Sequence, residues 1–236
     1  MSPSLRVIGP GRAGGSLMRA LGERGWTVRA PLRRGDDVNE AAVGVDVLVI
    51  ATPDAAIEPT AAAVQPMPDT VVVHLAGSMG LSPLRRHPRS AALHPLMALP
   101  DPDTGAERLA SGGWFAVAGD PVAAQIVEQL GGRAFAVADE HRAGYHAAAV
   151  VASNHLVALM GQVQRLADAV DVPFEAFLPL VRATIDNVAE LGPAAALTGP
   201  AARGDQQTID RHLAAIAADE RQLYETLVEA ARRLVS

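Results

Sequence analysis

The chain contains no cysteine. Disulfides, thiolate nucleophiles and cysteine-based zinc sites are therefore excluded. Lysine is missing too, so all 20 basic residues are arginine. No lysine amine is on hand as general acid, general base or Schiff-base former. Aromatic residues make up 3% of the chain, too few to suggest base-stacking surfaces. No apolar run reaches the ~20 residues that a membrane-spanning helix requires, and no signal-peptide pattern precedes Arg6. The expectation is a soluble, cytoplasmic protein with no membrane partner. No metal site is expected.

What the sequence does have is 236 residues, 49% of them hydrophobic, and a net charge of −6. That is enough for one large domain or two small ones with real cores. The acidic balance argues against nucleic acid as the main partner. Residues 1–138 hold 12 arginines against 13 acids, and residues 139–236 hold 8 against 13. The arginines of the first part are thus the ones free for anionic ligands.

The first part alternates strand and helix patterns. Leu5–Ile8 is a short β-type run, followed at once by Gly9-Pro10-Gly11-Arg12-Ala13-Gly14 and by a helical face at Leu17, Met18 and Leu21. Gly22 and Gly25 end that helix, and Trp26–Ala30 resumes as strand. Strand, G-x-G-x-x-G, helix and strand within about 30 residues is the setting that a dinucleotide-binding loop requires. Gly9 suits the tight turn, Gly11 lets backbone approach a pyrophosphate, and Gly14 lets helix and strand pack closely. The helix N-terminus offers its N–H groups to phosphate.

The second strand bears on the choice of cofactor. NAD-type sites place an acid near its end to hold the ribose 2′-hydroxyl. Here Ala30-Pro31-Leu32 leads into Arg33 and Arg34, and no acid appears before Asp36. The arginine pair suits a 2′-phosphate, so NADP is expected rather than NAD. Further buried-strand patterns follow at Val45–Ala51, Thr70–Leu75, Ala91–Leu93, Trp114–Ala118 and Arg133–Val137, with a helix at Pro121–Leu130. In such sheets ligands sit beyond the carboxyl ends of the strands. Thr52, Pro53, Ser78 and His94 fall there, as cofactor or substrate neighbours or as ordinary turn chemistry.

From Asp139 on, no strand pattern remains. The reading is one long helix from Glu140 to about Val170 with Asp139 as N-cap, a helical segment opened by Pro173 and closed by Gly192-Pro193, and a last long helix over Thr208–Leu234. The expected organisation is α/β: a Rossmann domain with a doubly wound, mostly parallel sheet over 1–138, then an all-helical domain over 139–236. The first long helix is apolar over much of its girth, at 147–151 and 156–160. Packing against a second copy of the chain is the simple way to bury it, so a homodimer through the helical domain is expected. At 100° per residue His146 and Ser153 lie within about 20° of each other, with Asn154 about 80° from His146. Tyr145 points elsewhere. This polar face needs partners, either structural hydrogen bonds or a bound substrate and nicotinamide.

Taken together, Gly9–Gly14, Leu93-His94-Pro95, Tyr145-His146 with Ser153-Asn154, Thr198-Gly199-Pro200 with Arg203-Gly204-Asp205, and His212 with Tyr224 resemble a known family. It comprises Rossmann-like proteins followed by a helical "domain of unknown function 2520". That family is similar to ketopantoate reductases, pyrroline-5-carboxylate reductases and NADP-dependent β-hydroxyacid dehydrogenases. The resemblance covers nearly the whole chain and implies an NADPH-dependent reductase of a small 2-oxo acid, with ketopantoate the first substrate to try. One departure matters: the standard ketopantoate reductases and β-hydroxyacid dehydrogenases place a lysine near the substrate carbonyl, and this chain has none. A proton donor must then be sought elsewhere, at His146 or His94. Ser153 and Asn154 would hold the carbonyl or the carboxamide. Arg203 carries a fork suited to a substrate carboxylate, and Asp205 would orient Arg203 or His146 or else cap the following helix. The competing readings are an NADP-binding regulatory or partner protein without turnover, and an imine reductase of the pyrroline-5-carboxylate type.

Overall fold

The computed structural model describes residues 2–235. The chain divides into two compact units, Met1–Ser153 and Asn154–Ser236. The division falls inside the helical stretch that follows residue 138.

The first unit is built on a seven-stranded sheet. Its strands are β1 (Ser4–Ile8), β2 (Thr27–Val28), β3 (Val47–Ile50), β4 (Val71–His74), β5 (Ser90–Pro95), β6 (Trp114–Gly119) and β7 (Arg133–Ala136). Their order is β2-β1-β3-β4-β5-β6-β7. All neighbouring pairs are parallel except β5 with β6. This is the doubly wound, mostly parallel sheet that the alternating pattern implied. Helices α1 (Arg12–Glu23), α2 (Asp54–Ala63), α3 (Pro102–Ala110) and α4 (Val122–Gln129) connect the strands. β3 reads Val-Leu-Val-Ile and β4 Val-Val-Val-His, and every residue in both is buried. Such unbroken apolar runs suit a strand covered on both faces. The period of two splits them: Val47 and Val49 join Leu5, Leu17 and Leu21 in one core. Leu48 and Ile50 join Ile8, Ile57 and Ala61 in the other.

Strand β2 is shorter than the expected Trp26–Ala30 run, because beyond Val28 the chain leaves regular pairing. It returns once, at a parallel bridge between Leu32 and Ile8, with the Gly9 N–H donating to Leu32 O at 2.9 Å. β5 is longer than expected. His94 and Pro95 lie inside it, paired with Ala116 and Phe115, rather than beyond its end.

The expected long helix starting at residue 140 is resolved into pieces. A 3-10 turn spans Asp139–His141, α5 runs Arg142–Val150, a π-turn covers Val151–His155, and α6 runs Leu156–Asp168. Asp139 is not the cap. Its carboxylate instead accepts from the Leu81 N–H at 3.3 Å and lies 3.6 Å from the Arg142 Nε. The π-turn matters for the polar face, because the count of 100° per residue that aligned Ser153 and Asn154 with His146 holds only within α-helix.

In the second unit a 3-10 turn at Phe174–Phe177 leads into α7 (Leu178–Leu191). Then come α8 (Pro193–Ala196), α9 (Pro200–Arg203), α10 (Gln206–Ala215) and α11 (Ala218–Arg233). The last expected helix is thus two. The chain goes extended at Ile216 and Ala217, with ψ of 152° and 149°. No glycine or proline marks this break. The signal is Asp219 and Glu220, whose charges favour the first turn of a new helix. Among the described residues of this unit, the buried hydrophobics are Ala167 and Ile209. Val157, Val170, Leu180 and Leu191 are 72%, 65%, 64% and 54% exposed. Among the described residues, no helix is long and apolar enough to cross a membrane.

Candidate functional site

After β1 the chain passes to β2 on one side, while β3 lies on the other. The carboxyl ends of β1 and β3 therefore flank the point where strand order reverses, the place where open α/β sheets take ligands. The glycine loop sits there, and each glycine has a separate geometric reason. Gly9 has φ of +86°, and a Cβ on it would lie 2.8 Å from Ala51 O at the end of β3. A Cβ on Gly14 would lie 2.4 Å from Gly9 O, so helix and loop can touch only if it is bare. Around Gly11 a Cβ would meet nothing within 4 Å. Gly11 thus faces open space, as a residue approached by ligand should.

The N-terminus of α1 has neither a side-chain cap nor an acid in its first turn. Its leading N–H groups, with those of Arg12 and Ala13, are therefore left for an anion. Beside it lies a cavity of about 550 Å³ lined by Gly9, Gly11, Arg33, Arg34, Thr52 and Pro53, among others. Six of the residues expected at the cofactor are thus brought together. Arg33 and Arg34 are exposed. Asp36 also lines the cavity, but its carboxylate accepts from the Arg33 N–H at 2.7 Å. Thr52 Oγ1 is buried there with no hydrogen-bond partner among the described residues. Pro10, Arg12, Ala13 and Gly14 belong to the loop and helix start beside the cavity without lining it. Ser78 does not line it either: its hydroxyl donates to Asp54 Oδ2 at 3.0 Å.

Further along the same edge, at the carboxyl ends of β4 and β5, a second group of side chains gathers. A Cβ on Gly77 would lie 2.6 Å from His146 Nδ1 and 2.8 Å from His94 Nε2. The bare Gly77 therefore lets two imidazole nitrogens, from α5 and β5, converge on one spot. The two rings meet edge to face, with centroids 5.6 Å apart. His94 Nδ1 is bonded to the Tyr145 hydroxyl at 2.7 Å. The aromatic row continues outward through Phe135 to Trp114. His74, fully buried in β4, accepts the Ala76 N–H at Nδ1 and donates from Nε2 to Gly80 O at 2.9 Å. That pattern makes it a neutral imidazole, and burial lowers its pKa in accord.

Burial also depresses His94, to about 4, with the His146 and Arg142 charges acting in the same direction. His94 is therefore neutral at neutral pH and cannot wait there as an imidazolium acid. His146 Nδ1 is buried without a hydrogen-bond partner among the described residues.

Three members of this group escaped the sequence reading. Tyr145 does not point away; it reaches His94. Arg142 has a side chain that is 0% exposed. Its Nε, Nη1 and Nη2 lack hydrogen-bond partners among the described residues. His74 was read only as part of a strand. The usable signal was spacing: Arg142, Tyr145 and His146 stand at i, i+3 and i+4, which share a helical face.

Ser153, Asn154, Arg203 and Asp205 complete the expected set. Ser153 Oγ donates to Ala149 O at 2.8 Å within its own helix. Asn154, Arg203 and Asp205 belong to the second unit. Asp205 caps α10, accepting the Thr208 N–H at 3.0 Å, and hydrogen bonding by the Thr208 side chain and N–H holds its carboxyl below the usual range. Gly204 takes the left-handed conformation at φ 67°, ending α9, and Arg203 is exposed. In the Gly199–Asp205 corner the turn and cap chemistry is therefore realised.

Sheet order, glycine loop and switch-point cavity define the first unit as a Rossmann-type dinucleotide-binding fold. Residues 115–231 match the family model described as "Domain of unknown function (DUF2520)". No curated protein matches the chain significantly. Among solved structures, a candidate NADP oxidoreductase from Bacteroides fragilis is 22% identical with a TM-score of 0.80, covering 98% of both chains. A reductive aminase from Aspergillus terreus, solved with NADPH and ethyl levulinate, is 18% identical with a TM-score of 0.71, covering 99% of this chain and 94% of that one. A pyrroline carboxylate reductase from Plasmodium falciparum, solved with NADP, is 11% identical with a TM-score of 0.64, covering 99% and 98%. At these identities the likeness is one of fold.

Proposed function

We propose that the protein is an NADPH-dependent reductase of a small compound with a polarised C=O or C=N bond. The observation that carries this reading is the switch-point cavity, which joins a bare glycine loop to two exposed arginines with no acid at the end of β2. The residues fit the cofactor. Gly11 leaves room for a pyrophosphate, the uncapped start of α1 offers N–H groups to it, and the orphaned Thr52 Oγ1 gains a polar partner. Arg33 and Arg34 pair with a 2′-phosphate. When bound, NADPH supplies the hydride. The chain supplies the surroundings: His94 and His146 converge beside Gly77 and offer ring nitrogens to the reacting heteroatom, while Tyr145, Phe135 and Trp114 form an aromatic wall.

Two substrate classes fit. A 2-oxo acid such as ketopantoate follows from the family resemblance. A C=N substrate is supported by the reductive aminase and pyrroline carboxylate reductase among the similar structures, and by the lack of lysine. The protein is also proposed to form a homodimer through its helical unit. The support is that unit's thin core and the exposure of Val157, Val170, Leu180 and Leu191, an apolar surface that a second copy would cover. The reductase reading is tested by following NADPH absorbance on mixing with a panel of 2-oxo acids, cyclic imines, and ketones supplied with an amine. Oxidation with one class assigns the substrate. Tight NADPH binding with no oxidation across the panel would replace the reading with that of a cofactor-binding partner protein.

A further inference from the structure

Arg142 poses a problem that cofactor binding leaves unsolved. A guanidinium with no exposed surface and, among the described residues, no hydrogen bond at any nitrogen is among the costlier groups to bury. Its nearest carboxylate, on Asp139, is 3.6 Å away and 57% exposed, so it compensates only part of the charge. A cation placed this way is poised for an anion that forms beside it. Tyr145 stands one helical turn on and interacts with it electrostatically. The Tyr145 hydroxyl is in turn bonded to His94 Nδ1 at 2.7 Å, and the other nitrogen of that ring faces the spot over Gly77 where His146 also arrives.

Building on the reductase reading, we propose that Tyr145, His94 and Arg142 form a proton relay in which Tyr145 is the proton source, neutral His94 passes the proton on, and buried Arg142 holds the charge left behind. The hydride that the cofactor supplies leaves negative charge on the substrate oxygen or nitrogen. The His94 Nε2–H bond breaks and that proton goes to the substrate heteroatom. In the same transfer the Tyr145 O–H bond breaks and an Nδ1–H bond forms. The imidazole is neutral before and after, with only its tautomer exchanged. Arg142 balances the phenolate charge until a solvent proton reaches Nε2 and the Nδ1 proton returns to the Tyr145 oxygen, which restores the starting tautomer. His94 is the catalytic residue in this scheme, and Tyr145 and Arg142 are positioning residues acting through it.

The relay also accounts for how a histidine that stays neutral at working pH can deliver a proton: it never needs to become an imidazolium. Burial holds the Tyr145 hydroxyl above its ordinary pKa and Arg142 acts against that rise. The other charged or titratable groups facing the relay are His146 on α5, His74 on β4, Asp54 on α2 and Asp139 beside Arg142. Burial, His146, Arg142 and His74 press His94 toward the neutral form; Asp54 opposes them.

The chain has two tyrosines, Tyr145 and Tyr224. In a Tyr224→Phe background, tyrosinate absorbance therefore titrates Tyr145 alone, on protein with no ligand added. Arg142→Gln should raise the midpoint by about one pH unit or more. Arg142→Lys should restore most of that change. Asp139→Asn, at an exposed side chain, should lower the midpoint by leaving the Arg142 charge less compensated. Equal midpoints in the parent and Asp139→Asn overturn the relay even where Arg142→Gln does not fold. A rise in Arg142→Gln that Arg142→Lys leaves in place also overturns it, since that marks a packing effect. With any substrate that the panel reveals, Tyr145→Phe should lower kcat by about tenfold or more, with KM for NADPH unchanged; an unchanged kcat overturns the relay. Failure of the reductase reading shows separately, as no NADPH oxidation in the parent.

Discussion

Lowering the pH from 7 to 5 should destabilise the first unit through His94. The sign follows from proton binding. An unfolded histidine titrates near 6.5, whereas burial holds folded His94 at about 4. Between those values the unfolded chain binds the extra proton, so stability rises with pH, and it is lost as the pH falls from 6.5 toward 4. The full gap corresponds to about 3 kcal/mol, of which about 2 kcal/mol is already lost at pH 5. His74 acts in the same direction, since burial lowers it too. The carboxyls with depressed pKa values, Asp46 and Asp120 among them, act with the same sign but in a lower window. Their contribution is present above the ordinary carboxylate pKa and is lost only as pH falls through their lowered values. Both tryptophans, Trp26 and Trp114, lie in the first unit, so urea unfolding followed by tryptophan fluorescence reports on it. His94→Gln removes the titrating group while His74 stays. The variant should lose about 2 kcal/mol less than the parent between pH 7 and pH 5. If both lose the same amount, His94 is not held neutral by its surroundings and the reasoning fails.

Replacing both Arg33 and Arg34 by alanine should erase most of the preference for NADPH over NADH, since one charge-assisted contact is worth about 1.5–3 kcal/mol. Calorimetric titration with both cofactors checks this, and equal affinities in the parent would remove the premise. Gly14→Ala should abolish cofactor binding or destabilise the first unit by about 1–3 kcal/mol, because its Cβ would stand 2.4 Å from a backbone oxygen. Gly11→Ala, with nothing within 4 Å, should leave stability unchanged and weaken binding alone, a contrast that paired thermal melts and titrations resolve. Sedimentation at micromolar concentration should give the mass of a dimer, and charges placed at Val157 and Leu180 should shift it to a monomer. A monomeric parent with its helical unit folded would refute the interface.

The fold of the first unit was legible in the chain because its signals are local. A buried parallel strand is an apolar run such as Val47–Ile50, and the glycine loop announces a turn that only glycines allow at positions 9 and 14. The absent acid after β2 and the arginine pair were legible for the same reason, since what they bind follows one strand end. Local spacing failed where a helix changes register or stops without glycine or proline, as at the π-turn of Val151–His155 and the break at Ile216–Ala217. At the Gly199–Asp205 corner spacing left two readings open, because a capping residue and a ligand-binding residue share one pattern. Sequence alone therefore determined the sheet, the glycine loop, the arginine pair and His94 with His146 as candidates. Tertiary structure alone decided that the two histidines converge over Gly77, that Tyr145 turns to His94, and that Arg142 is sealed in with no hydrogen-bond partner among the described residues. The reason is that burial and pairing are properties of what packs around a side chain. β4, β5 and α5 are far apart in the chain, and only folding brings their ends together.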